Sequence, residues 1–273
     1  MENNLFEFEV AKLFGVHNYK FAIPQDRRIT FMTGPNGYGK TTILNTLWGI
    51  SAKWSGYMPP VFEKLSYKDD RIELEAHRED MRGDVVINGA AGDTWDNEEV
   101  GENGATAFPM KLMTFPCEDA EENAVEAFDE MLMSLKEDSE NPYNTKRLEI
   151  LKDIVEKYLE GKTFDPSKGK EAFVSRDTGE VIDTWWLSVG ERNLVDIFSE
   201  TIMAPQRTLM LIDNPEVCMH IMWQSMLSED LERCLQLIDG HAILSTHSPQ
   251  IVNGRWSRCI DLYELEHPKK QEN

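Results

Sequence analysis

The chain has 273 residues, which suits one large domain or one domain with a subdomain. Its formal net charge of −21 argues against direct binding of nucleic acid, because nucleic-acid-binding surfaces are typically basic. The four cysteines lack zinc-finger spacing, and the sequence predicts neither a leader peptide nor a membrane-spanning segment. These features predict a cytoplasmic protein with reduced thiols and no membrane segment.

The first elements alternate apolar and polar residues with a period of two. Residues 5–11 and 19–23 both show this alternation, and residues 15–18 between them supply turn-forming glycine and asparagine. This pattern predicts an antiparallel hairpin. A short apolar strand is predicted next, at residues 29–32.

Residues 33–42 contain the pattern G-x-x-x-x-G-K-[ST], which is typical of a phosphate-binding loop. Its glycines allow a tight turn that points backbone N–H groups at phosphate oxygens, and the lysine reaches the β- and γ-phosphates. An ordinary glycine-rich turn is the alternative, but the strand before the loop and the apolar helix predicted at residues 43–48 favour a nucleotide site. The predicted nucleotide-binding residues of the loop are Gly34, Pro35, Asn36, Gly37, Tyr38, Gly39, Lys40, Thr41 and Thr42.

The middle of the chain predicts short strands followed by helices. Strands are expected at residues 71–76, 84–87 and 111–115, where apolar residues alternate or cluster. Residues 90–107 are rich in glycine, asparagine and acids, which predicts a mobile surface loop. Apolar residues recur at helical spacing within residues 119–160, which predicts a helical lid of two amphipathic helices.

The second half alternates helices and strands. A short hairpin is predicted at residues 173–182, and a helix opens at the L-S-V-G-E sequence and runs over residues 187–203. Buried strands are expected at residues 208–213 and 242–247, joined by a helix at residues 221–237. Strands that alternate with helices imply a mainly parallel sheet, with ligands bound outside the strand ends.

The order of these motifs resembles that of the ABC-type ATPases. A phosphate loop is followed by an L-S-x-G-E signature, then an apolar strand ending in Asp213, then a strand ending in Thr246 and His247. The resemblance spans nearly the whole chain. It implies an α/β P-loop NTPase fold of ABC type in one domain, residues 1–273, with a mainly parallel sheet, an antiparallel β-subdomain and the helical lid.

Within that superfamily the chain is similar to the soluble AAA/OLD-like ATPases of bacterial defence systems such as PARIS and Septu. The similarity rests on the phosphate loop at residues 34–42, on residues 13–19, on L-I-D-N-P-E at 211–216 and on T-H-S-P-Q-I-V at 246–252. The related SMC-like ATPases insert a long coiled coil before the signature, which the two short helices replace here. The resemblance therefore implies an armless head that works beside a protein effector, a nuclease or a toxin.

The resemblance also implies roles in binding ATP and Mg²⁺. Thr41 and Asp213 would hold the metal. Residues of the signature would contact the nucleotide of a second copy, which predicts a homodimer or higher oligomer assembled as an ATP sandwich. A plain capping box at the start of the helix is the alternative interpretation of the signature, and both can hold together. The predicted signature contacts are Ser188, Gly190 and Glu191.

The expected catalytic glutamate is missing. Most of the superfamily carries a glutamate directly after the metal-binding aspartate, and this chain carries Asn214. An amide does not accept a proton, so hydrolysis is predicted to be weak, with Glu216 as a substitute base. His247 would sense the γ-phosphate, or it would simply close a core strand. The candidate catalytic residues are Glu216, Asn214 and His247.

Two further positions depart from the family pattern or stay open. No glutamine follows the strand at 111–115, where residues 116–118 read P-C-E. Which aromatic residue stacks on the adenine is left open among Phe14, His17 and Tyr19.

Together the motifs and the departures from the family pattern predict a slowly hydrolysing ATPase that acts as a dimerising switch for an effector in anti-phage defence. The alternatives are the ATP-binding subunit of a transporter and an SMC-like DNA-repair head.

Overall fold

A computed structural model of the chain describes residues 4–53, 58–78, 86–89, 106–115, 128–135 and 141–268. The chain divides into two compact units. The first unit contains Met1–Met113, Arg207–Asp213 and Gly240–Asn273, and the second contains Thr114–Gln206 and Asn214–Asp239.

An antiparallel sheet forms one layer of the first unit. Its described strands, in the order β2-β1-β4-β5-β6, are β1 (Asn4–Leu13), β2 (His17–Pro24), β4 (Phe62–Asp69), β5 (Glu73–Arg78) and β6 (Val86–Gly89). The alternation of buried and exposed residues along β1 places Phe8 opposite Phe21 on one side and Tyr67 on the other. The predicted hairpin is therefore confirmed. Strand β4 was not predicted, although Leu65 and Tyr67 alternate with polar neighbours.

A second sheet of the first unit is mainly parallel, in the order β13-β3-β12-β11-β7 among the described residues. Strand β3 pairs in parallel with β12 and with β13, and β12 pairs in parallel with β11. The central strands β3, β11 and β12 are buried over nearly their whole length, so they are mainly apolar on both faces. The remaining strands of this sheet are β3 (Ile29–Thr33), β7 (Met110–Thr114), β11 (Leu209–Asp213), β12 (His241–Ser245) and β13 (Cys259–Asp261).

Three helices accompany this sheet. Helix α1 (Lys40–Ala52) follows β3 and packs against β11 through buried residues such as Leu44 and Leu47. Two short helices, α6 (Pro249–Val252) and α7 (Leu262–Glu266), lie near the end of the chain. They were not predicted, because helices of four or five residues are too short to show a periodic pattern. The predicted α/β P-loop NTPase fold, with parallel and antiparallel sheets, is confirmed.

The second unit is built from helices and a small sheet. Helices α2 (residues 128–135), α3 (Pro142–Tyr158), α4 (Val189–Met203) and α5 (Ile221–Leu237) lie in it, with β8 (Lys162–Phe164), β9 (Phe173–Ser175) and β10 (Val181–Ile182). Helix α4 packs against both α3 and α5. The predicted hairpin at 173–182 is confirmed by the antiparallel pairing of β9 and β10.

A buried carboxylate links two helices of the second unit. Asp230 of α5 accepts hydrogen bonds from the Tyr158 hydroxyl, at 2.9 Å, and from the Lys157 ammonium, at 2.8 Å, both on α3. The Arg233 guanidinium donates to the same carboxylate from one turn further along α5. Because Asp230 is buried among three donors, its charge is compensated and it joins α3 to α5.

Several predicted regions lie partly or wholly outside the described residues. Residues 90–105 of the predicted mobile loop and residues 116–118, where the glutamine is missing, are among them. The bounds of the lid at 119–160 stay a prediction, since only 128–135 and 141–160 of that range are described. Among the described helices, none has the length and apolar character that crossing a membrane requires.

Candidate functional site

The phosphate loop joins β3 to the start of α1. Its glycines adopt positive φ angles of 139° at Gly34, 84° at Gly37 and 87° at Gly39, which is the N-cap of α1. Other residues rarely adopt such angles. A side chain on Gly39 would also place its Cβ 2.7 Å from Leu13 Cδ2. The loop conformation therefore depends on glycine because of its positive φ angles and, at Gly39, because a side chain would meet Leu13.

Lys40 is the first residue of α1 and is buried, with only 7% of its surface exposed. Its Nζ donates to the carbonyl of Gly34 at 2.8 Å and to that of Pro35 at 3.1 Å. The ammonium thus lies inside the turn of the loop. The loop leads directly into the N-terminus of α1, whose helix dipole adds positive potential that suits a phosphate group.

A buried carboxylate stands next to the loop, at the end of β11. The Thr41 hydroxyl donates to Asp213 Oδ2 at 2.6 Å, and the Ser245 hydroxyl donates to Asp213 Oδ1. The parallel register of β11 and β12 places Asp213 directly opposite Ser245. Hard oxygen ligands of this kind suit Mg²⁺, so the residues fit the predicted metal.

Ser245 was missed by the sequence analysis. It occupies the last position of an apolar strand and carries no motif of its own. Only the register between two strands that are distant in sequence reveals that its hydroxyl contacts the Asp213 carboxylate.

The segment after Asp213 forms a series of turns in the second unit. Asn214 adopts a positive φ of 53°, and its carbonyl accepts from the N–H of Val217. Asparagine is among the few non-glycine residues that occupy this region readily. Glu216 is half-buried, and its carbonyl accepts from Met219 N. In the first unit, His247 lies two residues after the end of β12 and is exposed.

The signature sequence forms the start of α4. Ser188 is the N-cap, and its hydroxyl accepts from the N–H of Glu191 at 3.3 Å. The Glu191 carboxylate accepts in return from the N–H of Ser188 at 2.9 Å, so the predicted capping box is present. Burial opposes ionisation of Glu191, but the Lys162 ammonium at 2.6 Å and the Ser188 N–H outweigh it. The pKa of this carboxyl is therefore lower than its ordinary value.

Gly190 brings the start of α4 into contact with the turns that precede α5. A Cβ at Gly190 would lie 2.3 Å from the carbonyl oxygen of Cys218 and 3.2 Å from its carbonyl carbon. Both contacts involve backbone atoms, which cannot rotate away as a side chain does. The glycine in the signature is therefore needed for packing within the second unit.

We expect Gly190→Ala to lower the free energy of unfolding by about 1–3 kcal/mol, because the added methyl group forces the backbones apart. Urea unfolding followed by circular dichroism measures this change. Val189→Ala, which alters an exposed neighbouring side chain, is the matched control. Equal unfolding midpoints for the two variants would show that the close approach to Cys218 is absent.

The three aromatic candidates for the adenine differ in their surroundings. Tyr19 is buried, and its hydroxyl donates to the Tyr38 carbonyl at 2.9 Å. The His17 ring is held by the Glu266 carboxylate. Phe14 is exposed, and a Cβ at Gly39 would lie 3.5 Å from its ring atom Cε2. Of the three, Phe14 presents a ring to solvent beside the N-cap of α1.

The phosphate loop beside the Asp213 carboxylate in the first unit, and the capped signature helix in the second unit, are features of an ATPase of the ABC/SMC type. The family model described as "AAA domain, putative AbiEii toxin, Type IV TA system" matches residues 111–253, just over half of the chain. The chain belongs to this family. The match includes the signature and Asp213, and it begins after the phosphate loop.

Solved structures of similar fold include SMC heads and an ABC protein. The SMC head bound to the C-winged helix domain of ScpA has 13% identity, covers 93% of each chain and has a TM-score of 0.54. The SMC head domain from Thermotoga maritima has 14% identity over 92% of this chain and 91% of its own, with a TM-score of 0.53. A Pyrococcus furiosus protein described as "Putative ABC transporter (ATP-binding protein)" has 14% identity over 94% and 98%, with a TM-score of 0.50. No curated protein matches the chain in sequence.

Proposed function

We propose that this chain binds ATP with Mg²⁺ at the phosphate loop and acts as a dimerising switch that controls a partner effector. The observation that carries the proposal is the shielded Lys40 ammonium inside a glycine loop, next to the hydrogen-bonded pair of Thr41 and Asp213. A lysine ammonium, a helix N-terminus and a buried carboxylate side by side are typical of a site that binds phosphate with a metal ion, and an ordinary turn does not need this combination.

Binding of the triphosphate follows from the chemistry of the loop. Lys40 exchanges the two loop carbonyls for β- and γ-phosphate oxygens, and the start of α1 supplies N–H donors. The Thr41 hydroxyl and the Asp213 carboxylate hold Mg²⁺, which neutralises phosphate charge when bound. Ser245 keeps the Asp213 carboxylate in place from the opposite strand.

A second copy of the chain completes the site. Ser188 lies exposed at the start of α4, so its hydroxyl and the first N–H groups of the helix are accessible to a phosphate held by a partner. Large apolar side chains are exposed in the turn before α4, at the first residue of α4 and at the start of α5, and exposure of such groups is costly in a lone chain. The exposed apolar residues are Trp185, Trp186, Val189, Ile221 and Met222.

Slow hydrolysis is part of the proposal. Asn214 stands where most ABC-type ATPases carry a proton-accepting glutamate, so no strong base follows Asp213 directly. Glu216 is the substitute base and His247 the γ-phosphate sensor. A slow chemical step keeps the ATP-bound dimer assembled, which suits a switch better than a motor.

Control of an effector in anti-phage defence rests on the sequence resemblance, and a cytoplasmic location rests on composition. One SMC head of similar fold is described as bound to a domain of ScpA, so a head of this fold engages a separate protein in that case. The transporter and DNA-repair alternatives share the fold. The strongly acidic chain favours a basic protein partner over nucleic acid.

The mass of the protein in solution tests the switch directly. Size-exclusion chromatography with light scattering should show the monomer mass without nucleotide and twice that mass with ATP and Mg²⁺. The Trp186→Ser variant is expected to bind ATP and remain monomeric, because its exposed ring lies in the proposed interface. A wild-type protein of one mass in both conditions would refute the dimerising switch.

We also propose that Phe14 stacks on the adenine. Phe14→Ala is expected to weaken ATP binding about tenfold, since stacking of a base on an aromatic ring contributes roughly 1–3 kcal/mol. Isothermal titration measures this, with the exposed neighbour Val16→Ala as the control. Binding of tripolyphosphate, which has no base, should be unchanged in Phe14→Ala. An equal loss for ATP and tripolyphosphate would contradict stacking.

A further inference from the structure

We propose that helix α7 and the His17–Glu266 pair hold the phosphate loop in its nucleotide-binding conformation, which makes His17 and Glu266 positioning residues. This inference rests on the proposed binding of ATP at the loop. It assigns a role to two elements that carry no sequence motif, the turn before β2 and the short helix after β13.

The start of α7 lies against the first glycine of the loop. A Cβ at Gly34 would lie 3.3 Å from Leu262 Cβ and 3.7 Å from the backbone nitrogen of Tyr263. The side chain of Asp261, which caps α7, accepts hydrogen bonds from Tyr263 N and from the Thr33 hydroxyl. Because β13 pairs in parallel with β3, α7 is held against the point where the loop begins.

The other side of the loop is held through Tyr38. Its carbonyl accepts from the Tyr19 hydroxyl at 2.9 Å, and burial raises the pKa of Tyr19, so that donor stays protonated. The Tyr38 ring lies between two rings, with centroid distances of 4.8 Å to His17 and 6.0 Å to Tyr263. Tyr38 therefore contacts β2 through two residues and α7 through one.

The pair formed by His17 and Glu266 connects β2 to the end of α7. His17 Nδ1 lies 2.9 Å and 3.0 Å from the two carboxylate oxygens of Glu266, and the two side chains are only 16% and 20% exposed. Burial of this degree limits competition by solvent for the hydrogen bond between His17 and Glu266. The His17 ring is also stacked on Tyr19.

These contacts form one closed network around the loop. Glu266 fixes His17, His17 packs on Tyr38, and the start of α7 contacts Gly34. Loop amides must point inward before a phosphate arrives, because ordering them during binding would cost affinity. Loss of the His17–Glu266 pair should therefore weaken nucleotide binding although neither residue contacts the phosphates in the proposed site.

A double-mutant cycle on nucleotide affinity tests this role. His17→Phe keeps a ring against Tyr38 and removes the hydrogen bond, and Glu266→Ala removes the carboxylate. Each single variant is expected to bind mant-ATP about fivefold or more weakly than wild type. The double variant should bind mant-ATP as tightly as the single variant with the lower affinity, because both substitutions remove the same interaction. Glu266→Gln, whose amide oxygen still accepts from His17, should keep most of the affinity.

Hydrogen exchange of the nucleotide-free protein gives a readout that does not depend on the ligand. The backbone amides of residues 34 and 36–40 should exchange faster in Glu266→Ala than in wild type. The matched control is the exposed pair Lys20 and Glu9, which joins β2 to β1 at 2.9 Å and faces solvent. Lys20→Gln and Glu9→Gln should change neither mant-ATP binding nor exchange of the loop amides.

Two results would overturn the positioning role: unchanged mant-ATP affinity in His17→Phe and Glu266→Ala, or losses that multiply as for independent sites. Either result can be interpreted only when the wild-type protein binds mant-ATP. A wild-type protein that binds none would refute the proposed function itself, and the positioning role with it. The two failures are thus distinguished by the wild-type titration alone.

Discussion

Replacing Asn214 with glutamate is expected to raise the rate of ATP hydrolysis by about 100-fold. A positioned general base contributes roughly 10²–10⁴ in rate, and the amide of asparagine supplies none of it. The variant restores a carboxylate directly after Asp213, which is the buried acid next to Thr41. Steady-state phosphate release at saturating ATP measures the effect.

The backbone at this position affects how the variant must be controlled. Asn214 has a φ of 53°, and a residue other than glycine, asparagine or aspartate costs about 1–2 kcal/mol there. Asn214→Gln carries that same cost and no base, so it is the matched control. We expect Asn214→Gln to unfold at the same denaturant concentration as Asn214→Glu and to hydrolyse ATP no faster than wild type.

An unchanged rate in Asn214→Glu would contradict the missing-base explanation. Glu216→Gln then decides between the remaining groups. A large loss in that variant would assign the base to Glu216, which is half-buried in the turns before α5.

Lys40→Ala is expected to weaken ATP binding by at least about 100-fold. The ammonium is the only charged donor of the loop residues 33–42, and charge-assisted hydrogen bonds contribute about 1.5–3 kcal/mol each. The variant also loses the contacts with the Gly34 and Pro35 carbonyls, so the loop itself becomes less ordered. Isothermal titration with ATP and Mg²⁺ measures the loss.

The exposed Lys68→Ala, which removes a surface ion pair with Glu73, is the charge-matched control and should bind ATP as wild type does. Lys40→Ala should also stay at the monomer mass when ATP is added. Dimerisation of Lys40→Ala with ATP would show that assembly does not depend on the phosphate loop.

Local patterns were sufficient to predict the elements that carry the motifs. The strand, loop and helix at residues 29–52, the capped start of α4 and the strands that end in Asp213 and Ser245 all have short-range signatures. Glycine spacing, capping residues and apolar runs act within a few residues, so they are readable without knowledge of the fold. Strand β4 was overlooked because the register shift between Phe62 and Leu65 interrupts the alternation of its three buried apolar residues, of which the third is Tyr67.

Contacts between residues distant in sequence had to come from the folded chain. The hydrogen bond of Ser245 to Asp213 depends on the register of two parallel strands, and the approach of Gly190 to Cys218 depends on how α4 packs beside the start of α5. His17 and Glu266 are separated by 249 positions, and neither belongs to a motif. A phosphate loop is specified by its own glycines and lysine, whereas the groups that hold it in place are specified by packing, which no local pattern encodes.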